Sequence, residues 1–420
     1  MIGLGNTVTG SDVFNSDRSI EFDGTDNFLS AGDNNNLGAG NFSFSFWIKA
    51  SDTASNFLFS KREDDGNRWY VRTEGNSRVQ FYAKKSGSDV MTATSSSSGE
   101  LSANVWNHIV IACDRSDSST GLKFYINGQL ENSRPTSTTD IDNTGLFYIG
   151  RFNTNYTKAG TKLTEIGIFN VALGGSAVTA IYNETGSTGK PINLLINKGD
   201  YNNSSNLVAY YKMGGGLFDD IGKREGLGTR VRGAVVNQVG ASITGNLITA
   251  SKNSAFDASG DTNWTAYDES GSNGTTTVAS NGSILTVTLS GATQKDGVAS
   301  TTIDSGAQLA NSYVSSDVLD ERLYYVKADV WRGTANSSDY RIYLGGPTIQ
   351  IGNTSGSPLP TSKTTFDGHW LTSNTGNLKI YNNSVNGDTG TIFIDNVRVH
   401  KLPARSCVVY NQPTVSDDTP

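Results

Sequence analysis

Apolar positions recur with period two along most of this chain. In FSFSFWI (42–48), Phe42, Phe44, Phe46 and Ile48 share one side of an extended backbone, and Ser43, Ser45 and Trp47 share the other. That alternation predicts a strand, because successive side chains of extended chain point to opposite faces. WYV (69–71) and VQFYA (79–83) predict two shorter strands joined by TEGNS (73–77). VWNHIVIAC (105–113) is apolar on both faces, as a strand central in its sheet would be. In LKFYINGQLE (122–131), Leu122, Phe124 and Ile126 face one way until Asn127-Gly128 interrupts the run. Both central residues of a type I′ turn take positive φ, which Asn and Gly tolerate best. The stretch therefore predicts a tight antiparallel hairpin, with Lys123 and Tyr125 turned away from the core. LFYIGR (146–151) and TKLTEIGIFNVAL (161–173) continue the series. SAVTAIYN (176–183) has helical spacing at Val178, Ile181 and Tyr182, with Ser176 available as a cap.

Turn-rich chain follows, around a strand at LVAYYKM (207–213). Pro191 and clustered glycines argue against helix there. From about residue 245 the alternation resumes in SILTVTLSG (283–291), LYYVKADVW (323–331), YRIYLGG (340–346), NLKIYNN (377–383) and GTIFIDNVRVH (390–400). The expected fold class is all-β: two antiparallel β-sandwich (jelly-roll) domains in series, followed by an extended C-terminal arm. The expected segments are an N-terminal arm (1–18), a first sandwich (19–215), a connection (216–244), a second sandwich (245–402) and a C-terminal arm (403–420). The arm is punctuated by Pro403, Pro413 and Pro420 and is expected to lie on a neighbouring subunit.

Composition narrows the partners. The hydrophobic fraction is 35% and the charged fraction 17%, with Ser, Thr, Asn and 47 Gly filling the deficit, as in short strands joined by many turns. With 33 basic against 40 acidic residues and no long Lys/Arg block, nucleic acid is not an expected partner. No run approaches the roughly 20 apolar residues of a membrane span, and the opening MIGLGNTVTGSD carries no legible secretory leader. Cys113 and Cys407 are far apart, as separate free thiols would be.

In order, SIEFDGTDNFLSAG (19–32), FSFSFWIKA (42–50), WNHIVIACD (106–114), LKFYINGQL (122–130), LFYIGR (146–151) and TEIGIFNVALGGSAVTAIYN (164–183) resemble the laminin-G-like, concanavalin-A-like jelly roll. The resemblance implies that Trp106 packs inside the sandwich. It also implies a fold that hosts both binding and glycoside hydrolysis, yet E-x-D-x-x-E is missing from this region. REDDG (62–66) reads as a solvated loop, so no catalytic pair is expected. Calcium at a rim is a further implication, with Asp23, Asp26 and the DID loop (140–142) as oxygen donors. Trp69 and Tyr82 are candidate carbohydrate-stacking aromatics, with sheet core as the favoured reading for both.

NLITASKNSAFDASGDTNWTAY (246–267), YYVKADVW (324–331) and IFIDNVRVH (392–400) resemble the carbohydrate-binding-module-like, galactose-binding-like jelly rolls. That resemblance implies a structural Ca2+ shared by Asp257 and Asp395. Trp331 and Trp370 are candidate stacking platforms, and Trp264 is weighted to core. The combination of modules resembles accessory and fibre-like proteins of tailed bacteriophages. It implies a non-enzymatic virion protein, decorating the capsid or built into the tail, with capsid or tail subunits, copies of itself and cell-surface glycans as partners. The alternative is a carbohydrate-binding adhesin. A glycoside hydrolase ranks below both.

Overall fold

The computed structural model describes residues 16, 18–52, 54–95, 101–183, 190–214, 234–241, 248, 263–270, 272–280, 284–290, 294–295, 298–299, 303–310, 323–335, 340–344, 348–351, 359–371, 377–384, 389–410 and 413–420. The chain is all-β, with two antiparallel sandwiches and little helix. It divides into two compact units, one of Met1–Gly216 with Pro413–Pro420, the other of Leu217–Gln412.

The first unit contains β1 (Ser19–Glu21), β2 (Phe28–Gly32), β3 (Phe42–Lys49), β4 (Asn56–Arg62), β5 (Arg68–Glu74), β6 (Arg78–Lys85), β7 (Ser88–Thr94) and β8 (Trp106–Cys113). It continues with β9 (Leu122–Ile126), β10 (Gln129–Arg134), β11 (Leu146–Ile149), β12 (Arg151–Phe152), β13 (Asn155–Tyr156), β14 (Lys162–Phe169), the helix α1 (Gly175–Tyr182) and β15 (Leu207–Tyr211). One sheet runs β10-β9-β8-β3-β14-β1, with β15 also on β14. The facing sheet runs β2-β11-β4-β5-β6-β7. Their inner faces meet in an aromatic core. Phe44 stacks on Phe59 at 5.6 Å, Phe46 meets Phe59 edge-on at 4.9 Å, and Phe42 lies 5.3 Å from Phe81. Ring pairs at these separations add to the burial of their apolar area.

The predicted hairpin is present. Asn127 and Gly128 have φ of 52° and 80°, and β9 pairs β10 directly across them. Leu122, Phe124 and Ile126 are buried in the core. Tyr125 faces away from it as expected but is also buried, because residues 170–183 cover the outer face of this sheet. Ser43 Oγ donates to Val171 O at 2.8 Å and accepts from Leu173 N at 2.9 Å, while Trp47, His108 and Tyr182 stack together. The helix opens at Gly174 without a side-chain cap, so Ser176 lies inside its first turn rather than capping it. Trp106 is a second correction. It shares the outer face with His108, is half-buried, and donates from Nε1 to Asp418 Oδ1 at 3.0 Å instead of packing between the sheets.

Asp418 belongs to the C-terminal arm. Within this chain, the last residues of the arm take an edge position on the first unit, where Thr414–Ser416 pairs antiparallel with β1. Asp418 then draws in Lys49 Nζ at 2.8 Å and Lys162 Nζ at 2.7 Å, and its carbonyl accepts from Ser19 Oγ at 2.7 Å. The polar arm is thus held by one carboxylate with three donors.

The second unit is also a sandwich. One sheet orders Trp264–Asp268, Ile303–Leu309, Leu378–Ser384, Tyr340–Leu344 and Thr348–Ile351. The other orders Thr277–Ser280, Leu285–Ser290, Thr389–Lys401, Leu323–Arg332 and Thr364–Leu371. Tyr324, Val326, Ala328 and Val330 point inward together as the alternation predicts, and Trp264 joins them in the core. Cys113 and Cys407 are buried free thiols.

Candidate functional site

Strand β5 reads RWYVRTE, and its two faces have different fates. Trp69, Val71 and Thr73 point into the sandwich, where Trp69 is fully buried beside Phe44, Phe81 and Phe147. Trp69 therefore cannot serve as a stacking platform. Arg68, Tyr70, Arg72 and Glu74 point out. Strand pairing carries Tyr70 into a row across the sheet: Ser30, Tyr148, Ser60, Tyr70, Tyr82 and Thr92 lie opposite one another in turn. Residues so paired share a face.

The small Ser60 in the middle of that row makes room for the β12–β13 hairpin. Ser60 Oγ donates to Arg151 O at 2.5 Å, and Phe152 lies on the sheet, stacked on Phe57 at 4.9 Å and edge-on to Tyr70 at 5.1 Å. Tyr70 in turn stacks on Tyr82 at 4.9 Å. The result is a ribbon of rings on the outer face, with Phe57, Phe152 and Tyr70 half-buried and Tyr82 buried. Tyr82 is the most covered, at 9% exposed, and its hydroxyl donates to Asp89 at 2.5 Å. Burial pushes the Tyr70 phenol up, so it remains a neutral donor and acceptor at any physiological pH.

Guanidinium groups flank the ribbon. Arg68 lies over Tyr82 at 5.8 Å and Arg72 over Tyr70 at 5.5 Å. Each also has an acidic partner: Arg62 and Arg68 share Asp65, and Arg72 and Arg78 share Glu74. Flat apolar rings beside planar charged donors form a surface that suits a ligand with apolar ring faces and equatorial hydroxyls. Sequence reasoning selected Tyr82 from this face but missed Tyr70. The alternation of Arg68, Tyr70, Arg72 and Glu74 with Trp69, Val71 and Thr73 was the signal for it, since charged positions mark the outward side.

The remaining candidates of the first unit do not join this surface. Asp23 Oδ1 accepts from Thr25 N at 2.8 Å and Asp26 N at 3.2 Å, closing a turn. Burial opposes ionisation there, but those backbone donors prevail and hold Asp23 below the usual carboxylate range. Asp26 lies on the same turn. Asp142 Oδ1 accepts from Gly38 N at 2.7 Å, and Asp140 Oδ1 accepts from Asp142 N at 2.8 Å. In the second unit, Asp395 lies opposite Asp329 across the Thr389–Lys401 and Leu323–Arg332 strands. Lys363 Nζ donates to Asp395, Asn396 Nδ2 donates to Asp329 at 2.7 Å, and Thr365 Oγ1 donates to Asp329 at 2.6 Å. Lys363 thus pairs with Asp395, and Asp257, the other carboxylate of the implied calcium pair, lies outside the described residues. Among the described residues, no three His, Cys, Asp or Glu side chains gather in metal-ligating geometry. Trp331 is half-buried, with Phe393 at 5.5 Å and Lys363 Nζ 5.7 Å over its ring. Trp370 falls in the Thr364–Leu371 strand, and its side chain lies outside the described residues.

Residues 23–179 match the family model described as the concanavalin A-like lectin/glucanases superfamily. The first sandwich has the concanavalin A-like fold. Solved structures similar to this chain include a heptameric SAP-like pentraxin of Limulus polyphemus, at 15% identity over 42% of this chain and 88% of that one, with a TM-score of 0.33. Another is the sialidase carbohydrate-binding module of Ruminococcus gnavus bound to α2,3 sialyllactose, at 10% identity over 39% and 95%, TM-score 0.31. A third is domain 4 of an extracellular arabinanase of Geobacillus stearothermophilus in complex with arabinotriose, at 18% identity over 38% and 73%, TM-score 0.29. No curated protein sequence matches the chain.

Proposed function

We propose that this protein binds carbohydrate, without transforming it, through the outer face of β4, β5 and β6 and the β12–β13 hairpin. The observation that carries the proposal is the ring ribbon Phe57, Phe152, Tyr70 and Tyr82, laid on a strand face of a lectin-type sandwich and flanked by Arg68 and Arg72. Sugars present one apolar ring face and a rim of hydroxyls, and such a surface meets both demands. Binding without reaction is supported by the engagement of three described carboxylates. The facing pair Asp329 and Asp395 is engaged by Thr365, Asn396 and Lys363, and Asp64 closes a turn through Gly66 N and Asn67 N, both at 2.7 Å. Hydrolysis of a glycosidic bond needs two carboxyls free to give and take a proton across the substrate. The test is a glycan array probed with the full chain and with its Phe152→Ala variant. Defined glycans should be retained by the wild type and weakened at least tenfold in the variant. Retention that the variant leaves unchanged would place the site elsewhere, and an array with no retained glycan would reject the reading. The reading as a bacteriophage virion protein rests on the sequence resemblance alone.

A further inference from the structure

One arginine of the outer face differs from the rest. Arg151 opens the β12–β13 hairpin, pairing with Tyr156 across a turn at Asn153, which has φ of 54°. Its guanidinium lies over three rings, 4.6 Å from Phe28, 5.1 Å from Tyr148 and 5.6 Å from Tyr156. Its Nε donates to Asn153 O at 2.7 Å. The backbone is pinned on both sides. Ser60 Oγ holds the Arg151 carbonyl, and Gly150 N donates to Leu58 O at 2.9 Å. Gly150 also accepts from Thr157 N at 2.9 Å, so the hairpin is closed from below as well.

Whereas Arg62, Arg68, Arg72 and Arg78 share Asp65 or Glu74, Arg151 has no carboxylate among its described partners. Its Nε is committed to the backbone and its guanidinium lies among three rings, while neither terminal nitrogen has an acceptor among its described partners. A guanidinium fork matches a carboxylate with two parallel charge-assisted hydrogen bonds, and fixing it beforehand reduces the entropy lost on binding. Tyr148, one of its three rings, lies opposite Ser60, which lies opposite Tyr70, so an acid held at Arg151 would sit on the same sheet face as the platform.

We propose that Arg151 is a carboxylate-recognition residue and that the glycan taken by this face is acidic, carrying a uronic-type carboxyl. This inference rests on the proposed carbohydrate-binding function. The test titrates the full chain with polygalacturonate, alginate and hyaluronan oligomers, each paired with its carboxyl-reduced form, and with a sulfated, carboxyl-reduced chondroitin oligomer. At least one acidic oligomer should bind tenfold or more tightly than its reduced form. Arg151→Lys, which keeps the charge and loses the fork, should erase most of that preference, read as the ratio of the affinities for the acidic and the reduced form. Equal binding of acidic and reduced forms would overturn the assignment and leave carbohydrate binding standing. Retention that follows sulfate, or a preference that Arg151→Lys leaves intact, would also overturn it. Failure of every oligomer, acidic and reduced alike, would overturn both this assignment and the carbohydrate reading beneath it.

Discussion

His108 offers a stability switch whose size can be worked out. Its ring is buried beside Trp47 at 5.0 Å and Tyr182 at 6.0 Å, and Nε2 lies 2.9 Å from Ser45 Oγ. Its backbone N–H donates to the Asn127 side chain at 2.9 Å, which ties the histidine strand to the hairpin turn. Burial pushes the His108 imidazole down from 6.5 to about 3. The unfolded chain then takes up a proton below pH 6.5 that the folded chain refuses until about pH 3. The stability from this group is therefore complete above pH 6.5 and falls as pH drops toward 3, by about 1.4 kcal/mol per unit. Between pH 6.5 and pH 5 the loss comes to about 2 kcal/mol. For a unit of this size, that lowers its melting temperature by about 4–8 °C. Calorimetry of the full chain at pH 7 and pH 5 measures it, with His108→Gln as the control that keeps a hydrogen-bonding side chain and removes the proton site. The first unit's transition should drop by that much more in the wild type than in the variant. His400, whose imidazole is also lowered, by burial and then by Arg398, contributes to both proteins and cancels. An equal drop in wild type and variant would refute the reasoning.

Asp418→Asn should lower the first unit's transition by about 1–2 kcal/mol, since the carboxylate receives Lys49, Lys162 and Trp106. Burial alone would raise the Asp418 carboxyl, but these partners hold it well below the usual range. Its contribution is therefore present above pH 4 and lost in acid, and the variant should lose less stability than the wild type when titrated from pH 5 to pH 2 by circular dichroism. Gly128→Val puts a branched side chain at φ 80°, with Cβ 3.0 Å from the Tyr182 ring. It should cost about 2–3 kcal/mol in urea unfolding while the folded fraction keeps its glycan affinity. Lys363→Met leaves Asp329 and Asp395 facing each other with little exposure and should cost the second unit about 2–3 kcal/mol by calorimetry.

The sandwich architecture was legible because its signals are local. Phe42, Phe44, Phe46 and Ile48 alternate within eight residues, and Asn127-Gly128 names its own turn. What the sequence hid depends on which strands become neighbours. Trp69 and Tyr70 are adjacent aromatics on opposite faces, and only the pairing of β4, β5 and β6 shows that Tyr70 meets Phe152 and Tyr82. Arg151 takes Tyr148 and Tyr156 from nearby in the chain, but its third ring, Phe28, is remote in sequence, so the full cradle had no local signature. The arm lacked any pattern linking Val415 to Ile20, or Asp418 to Lys49 and Lys162. Trp106 follows from the same gap, because the partner of its indole N–H comes from the far end of the chain. Asp395 was readable as a carboxylate at a strand junction, whereas Lys363 as its counter-ion depended on the fold.

The central claim is that the outer face of β5 holds sugar through Tyr70. The most direct measurement is calorimetric titration of the full chain and of Tyr70→Ala with the best glycan retained on an array, after confirming equal melting of the first unit. The account predicts a loss of affinity of at least tenfold, about 1.4 kcal/mol. An affinity unchanged by Tyr70→Ala would contradict it.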